Sequence, residues 1–141
     1  MPIRCEVVSQ DRIVFQGDVD IVNLPGLDGD MGILPNHSPV LTLLRYGVIS
    51  IKTKTDEQFF TVAGGVAEVQ PDQVTILADA AENVDEIDIQ RAESARKRAE
   101  EALAKTPQTA TDEYLAIQAA MRRSNLRLDA ARRFKSQKRT H

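Results

Sequence analysis

One seam, residues 80–98, limits what this chain can fold into more than any other feature. Before it, short β-rich runs alternate with turn residues. After it, from Asp88 to Ala104, there is no Gly, Pro or aromatic residue, and good helix formers dominate. The charge changes sign at the same place. Residues 1–86 carry 5 Lys/Arg and 14 Asp/Glu, a net charge of −9; residues 87–141 carry 13 and 7, a net of +6, leaving −3 for the whole chain. Such asymmetry predicts two parts with different partners, a body over 1–84 and an arm over 85–141.

With 141 residues there is room for one small domain and an appendage. Aromatic residues make up 4% and Trp is absent, so the core falls to Val, Ile and Leu. No run approaches the roughly 20 apolar residues of a membrane span. The start, Met1-Pro2-Ile3-Arg4-Cys5-Glu6, lacks the apolar segment of a signal peptide. A cytoplasmic protein without direct membrane insertion is the expectation. The single Cys5 is expected in a first strand rather than as a nucleophile, since neither His stands near it in sequence.

In the body, apolar runs recur at Ile3–Val8, Ile13–Phe15, Val19–Leu24, Val48–Lys52, Gln58–Val62, Val66–Val69 and Val74–Leu77. Their spacing predicts an all-β sandwich or barrel of roughly eight to ten strands. The short connections predict antiparallel pairing, because a parallel crossover needs about a dozen residues. One stretch breaks the rhythm: Pro25-Gly26-Leu27-Asp28-Gly29-Asp30-Met31-Gly32-Ile33-Leu34-Pro35-Asn36-His37-Ser38-Pro39. Its glycines and prolines specify the backbone heavily. Two readings stand. It is a tight corner between sheets with His37 bonded to a neighbouring carbonyl, or a loop shaped to dock on another protein through Asp30 and His37. Gly64-Gly65 marks a bulge or a close backbone approach.

Gly29 to Pro39 resembles the signature loop of the epsilon subunits of F-type ATP synthases. So do Ala63-Gly64-Gly65-Val66-Ala67-Glu68-Val69 and Val74-Thr75-Ile76-Leu77-Ala78, and the likeness runs in order along nearly the whole chain. The family most often has Glu-Leu where this chain has Asp30-Met31. The resemblance implies an α+β chain in two parts. An N-terminal antiparallel β-sandwich of about ten strands lies between the gamma subunit and the c-ring, with Asp30 and His37 as rotor contacts. A two-helix hairpin follows.

In the arm, Ala92, Ala95, Ala99 and Ala102 recur at helical spacing with Leu103 beside them. Pro107 ends that helix. Thr111 or Asp112 is expected to cap a second helix running to about Phe134, with the stripe Ile117, Ala120, Met121, Ser124, Leu128 and Ala131. A short break favours an antiparallel hairpin. An alanine-lined seam buries little area and is expected to be weakly held, which suits an arm able to open; the alternative is an ordinary stable hairpin lying on the sandwich. The tail after Phe134 is polar and basic and expected to fray.

Ile87-Asp88-Ile89-Gln90-Arg91-Ala92 resembles the Ile/Leu-Asp-x-x-Arg-Ala motif with which some bacterial members bind ATP. The resemblance implies that Asp88 accepts from the adenine amino group, that Ile87 and Ala92 touch the ring, and that Glu82 is a further contact. Arg91 and Arg98 share one helix face, and Arg123 and Arg127 share another, so a folded hairpin can surround a triphosphate with guanidinium groups. The plainer alternative is that Asp88 is only an N-cap and the arginines are wet faces. In the family the extended arm also enters the catalytic alpha/beta head and blocks hydrolysis, and Arg122, Arg123, Arg132 and Arg133 are the candidates for that contact. The expected role is therefore a non-catalytic rotor subunit that couples proton-driven rotation to ATP synthesis. It needs no cofactor or metal, takes ATP as a regulatory ligand, and lies peripherally on the cytoplasmic side of the cell membrane. A stand-alone ATP sensor is the alternative. Acids interleaved with the bases (Glu93, Glu100, Glu101, Asp129) and few aromatics disfavour nucleic acid.

Overall fold

The computed structural model describes residues 2–10 and 12–135; the fraying expected of residues 136–141 lies outside these. The chain divides into two compact units, Met1–Val84 and Asp85–His141.

Among the described residues the first unit holds eight strands: β1 (Ile3–Ser9), β2 (Arg12–Val19), β3 (Ile21–Gly26), β4 (Gly29–Ile33), β5 (Val40–Lys52), β6 (Glu57–Val69), β7 (Gln73–Ala78) and β8 (Ala81–Asn83). They run in the order β2-β1-β7-β6-β5-β3-β4, with β8 also beside β6. The long strands β5 and β6 serve both layers. The second half of β6, Gly65 to Val69, pairs with β7, while Phe60 to Val62 pair with β8. The two halves of β6 meet at Gly64-Gly65, where φ is +87° and +138°. A Cβ on Gly65 would lie against the Leu77 carbonyl oxygen and 2.8 Å from Ala78 Cα. The expected close backbone approach is thus what the glycine permits.

Alternation does the rest. On β1, Ile3, Cys5 and Val7 point inward and are fully buried. They join Val74, Ile76, Ala67 and Val69 of one layer and Val22, Leu24, Ile33, Ile49, Ile51, Phe60 and Val62 of the other in one core. Phe15 meets Phe60 edge to face, ring centres 5.7 Å apart.

Three expectations need correction. The runs 58–62 and 66–69 are one strand, and 48–52 is the second half of β5, so the count is eight, within the range read from the spacing and below the ten or so that the resemblance implies. The loop that broke the rhythm contains a strand: β4 returns on β3 through the two residues Leu27 and Asp28, with Gly26 opposite Gly29. The sheet is mixed, since β1 and β7 are parallel. More than 60 residues separate them, so the short-connection rule does not reach that pair.

A 3-10 turn, Val84–Glu86, spans the boundary between the units, and the second unit continues into α1 (Ile89–Lys105) and α2 (Thr111–Phe134). The Thr106 hydroxyl donates to the Ala102 carbonyl at 2.7 Å and closes α1 before Pro107. Neither Thr111 nor Asp112 caps α2. Its N-cap is Ala110, which offers no side-chain bond, and Asp112 and Glu113 stand inside the first turn. There they complement the positive end of the helix dipole. Contacts between the end of α2 and the start of α1 make the pair antiparallel. Among the described residues no helix is long and apolar enough to cross a membrane.

Candidate functional site

Between α1 and α2 lies a groove of about 620 Å³. Its floor is small and apolar, with Ala95, Ala99 and Ala102 from one helix and Ala116, Ile117 and Ala120 from the other. The void exists because alanine stops at Cβ where the axes run side by side. Arg98, Arg123 and Arg127 line it. The groove therefore brings together three of the four arginines expected to face a triphosphate, beside an apolar floor. Glu113 also lines it.

The hexad residues stand elsewhere. Asp88 is the N-cap of α1, and its Oδ1 accepts from the Arg91 backbone N–H at 3.1 Å. Ile87 and Ala92 are fully buried. Arg91 is exposed at the first turn, and Glu82 belongs to β8 of the first unit, opposite Thr61. The hexad thus forms a helix start, and none of its side chains lines the groove.

Of the four arginines expected to meet the catalytic head, Arg122 and Arg123 are exposed in mid-helix. Arg132 pairs with Glu93 of α1 at 2.6 Å. Arg133 pairs with Asp129 at 3.9 Å and lies over the Phe134 ring, 5.0 Å from its centre.

In the first unit Asp30 sits on the edge strand β4, where its Oδ1 accepts from Arg45 at 2.5 Å while Arg45 also donates to the Gly26 carbonyl at 2.7 Å. This clasp holds the β3–β4 hairpin and leaves the Asp30 side chain 78% exposed. His37 lies on the loop between β4 and β5, its Nδ1 2.7 Å from the Ser38 carbonyl oxygen, which matches the local bonding expected of a corner. Asn36 beside it has φ of +68° and donates from its backbone to the Pro71 carbonyl at 2.8 Å.

One surface went unseen in the sequence. Leu43 lies opposite Val66, Val66 opposite Leu77, Leu77 opposite Val8, and Val8 opposite Ile13. Paired residues share a face, so these five make one apolar row across β5, β6, β7, β1 and β2, with Leu41 two places along β5 on the same face. Leu41, Leu43, Leu77 and Ile13 are 71, 56, 55 and 56% exposed. A contiguous exposed apolar row of this kind marks a surface that a partner covers. Alternation alone reads Leu41 and Leu43 as one strand face; the row appears only with the cross-strand register.

Burial, and then the neighbouring Glu6 charge, push the Cys5 thiol up from 9.0 to about 12. Among the described residues no group of three or more His, Cys, Asp or Glu gathers to hold a metal ion.

Comparison with known proteins covers both units. Residues 2–84 match the ATP synthase delta/epsilon chain β-sandwich domain, and residues 85–132 match the long α-helix domain of the same chain. An ATP synthase epsilon chain of Dehalococcoides mccartyi is 41% identical over 92% of this chain and 91% of its own length. That of Herpetosiphon aurantiacus is 41% identical over 94% and 96%. Among solved structures, a chain of the Euglena gracilis mitochondrial ATP synthase, from an assembly of OSCP, F1 and c-ring, has a TM-score of 0.75 at 22% identity. The alignment covers 92% of this chain and 81% of that one, and shows a shared fold. With both units matched in order, and relatives alike over nearly their full length, the chain belongs to the ATP synthase epsilon chain family.

Proposed function

We propose that this protein is a non-catalytic rotor component of the central stalk of an F-type ATP synthase. The β-sandwich docks on the gamma subunit and the c-ring, and the hairpin is a movable brake on ATP hydrolysis. The observation that carries the docking half is the apolar row from Leu43 to Ile13, a face too apolar to be left to water. The loop with Asp30 and His37 faces the ring in this reading. The complex lies on the cytoplasmic side of the cell membrane, to which the chain attaches through its partners.

The hairpin takes ATP in its groove. The wall of Arg98, Arg123 and Arg127 holds the phosphates and the alanine floor receives the base. ATP that binds only the folded hairpin shifts the arm away from the catalytic alpha/beta head. Arg122, Arg123, Arg132 and Arg133 meet acidic segments of that head when the arm extends.

Two measurements test this. Removing residues 87–141 should raise ATP hydrolysis by the assembled complex; an unchanged rate sinks the brake. Calorimetric titration of the whole chain with ATP should show binding that Arg123→Ala weakens at least tenfold. Absence of heat at millimolar ATP sinks the nucleotide site. A second reading, a stand-alone ATP sensor, draws on the fact that the groove is built within the second unit alone. Co-purification with a gamma subunit decides against it.

A further inference from the structure

The segment that resembles a nucleotide motif is occupied in closing the arm. The Ile87 carbonyl accepts from the Lys135 ammonium at 2.5 Å. Glu93, the residue after the hexad, accepts from Arg132 at 2.6 Å. Lys135 and Arg132 are three residues apart at the end of α2, so they fall on neighbouring positions of one face. Ile87 and Glu93 bracket the first turn of α1. Two charged links therefore cross between the helices at the end opposite their connecting loop. That loop, residues 106–110, joins the other end covalently. Between the two ends the helices are separated by the alanine-floored groove, so the middle of the seam contributes little to closure.

We propose that Glu93 and the Ile87 carbonyl form an ionic clasp with Arg132 and Lys135 that sets how readily the hairpin opens. As far as it concerns braking, the clasp rests on the reading of the arm as a movable brake. Arg132 has two alternative partners, Glu93 when the arm is folded and an acidic surface when it is extended. Glu93 thus competes within the chain for a cation that the brake uses. The pair is about half exposed on each side, where ion pairs are screened by salt and individually weak. A clasp of this strength holds the arm near balance rather than locking it. Arg132 and Lys135, at the end of α2, also suit the negative end of that helix's dipole.

The test uses the full chain with spin labels on Ser94→Cys and Asn125→Cys, both exposed, one on each helix. Inter-label distances are compared for the otherwise native chain, Glu93→Gln, Arg132→Gln and the two combined. Each single change should raise the open fraction about two- to fivefold. The combination should open no further than either alone, because one interaction is lost only once. Raising salt from 50 to 500 mM should open the native chain and leave the combined variant unmoved. Distances unchanged in the single variants, or strictly additive effects, overturn the clasp. Hydrolysis by the assembled complex gives an independent readout, where Glu93→Gln should deepen inhibition. If the distance changes are non-additive but deleting residues 87–141 leaves hydrolysis unchanged, the brake fails and the clasp stands. If that deletion raises hydrolysis but Glu93→Gln moves no distances, the clasp fails and the brake stands.

Discussion

Gly65 and Cys5 show what a single residue decides in the sandwich. Gly65 combines a φ of +138° with a neighbouring strand so close that a Cβ would strike the Leu77 carbonyl oxygen. Ala at this position faces both backbone strain and a clash with main chain that cannot swing away. Gly65→Ala should therefore cost roughly 2–4 kcal/mol, read as a lower urea midpoint with an unchanged slope. A midpoint within experimental error of the native one would mean the strands separate there freely. Cys5 acts through its proton. Its pKa is raised in the fold to about 12, so the neutral thiol is the favoured folded form. Below pH 9 the thiol is protonated in both states and this contribution is fully present. It is lost as pH rises from 9 through 12, because the unfolded chain ionises first. Stability should fall over that window more steeply than in Cys5→Ala, by at most about 1.4 kcal/mol per pH unit. At pH 8 a thiol reagent should react with the native chain only after unfolding; prompt labelling would contradict the burial.

Among the elements, α2 begins with a visible defect. Ala110 holds the N-cap position with φ −83° and ψ 70° and makes no side-chain bond to the first turn. Ala110→Ser or Ala110→Asp supplies an oxygen to an orphan N–H and should stabilise the hairpin by about 1 kcal/mol. Slower amide exchange in the first turn of α2 would register it, and unchanged exchange would show that the loop before it prevents helical capping. The same helix shows what sequence reveals and what it hides. The stop at Pro107 and the end near Phe134 were legible because breakers and periodicity are local. The cap was not, since Thr111 and Asp112 both suit the role and only the turn made by the Pro107 carbonyl and the Ala110 N–H, at 3.0 Å, fixes the frame. In the body, alternation along β1 was legible. The fusion of two runs into β6 was not, because Gly64-Gly65 reads as punctuation and acts as a bend. At the candidate site the arginine spacing was legible from helical geometry. The role of Asp88 was open between cap and ligand, and the side chain is a cap here. The clasp was illegible, as Glu93 and Arg132 lie 39 residues apart and only the hairpin joins them.

At the scale of the molecule, the distribution of exposed apolar side chains separates a free-standing domain from a docked one. Leu41, Leu43, Leu77 and Ile13 stay exposed although the core a few ångströms below them is fully closed. Folding of the isolated chain gains little from them, so their replacement should leave its stability within about 0.5 kcal/mol. Their burial by a partner is another matter, because removing apolar anchors from the centre of an interface costs more than 1–2 kcal/mol each. Leu43→Lys combined with Leu77→Lys places two charges in the row, one on either side of Val66. The double variant should fold normally by circular dichroism and urea titration. It should bind the gamma subunit at least tenfold more weakly, measured by calorimetry with the purified partner. Thr55→Lys, on the exposed turn between β5 and β6, adds a charge away from the row and should leave binding unchanged. If the leucine variant binds as well as the native chain, the row is bare surface and the docking face lies elsewhere on the sandwich. If both variants weaken binding equally, net charge governs the association and the apolar row does not. Loss in the leucine variant alone, with folding intact, makes the five-strand row the face on which the gamma subunit seats.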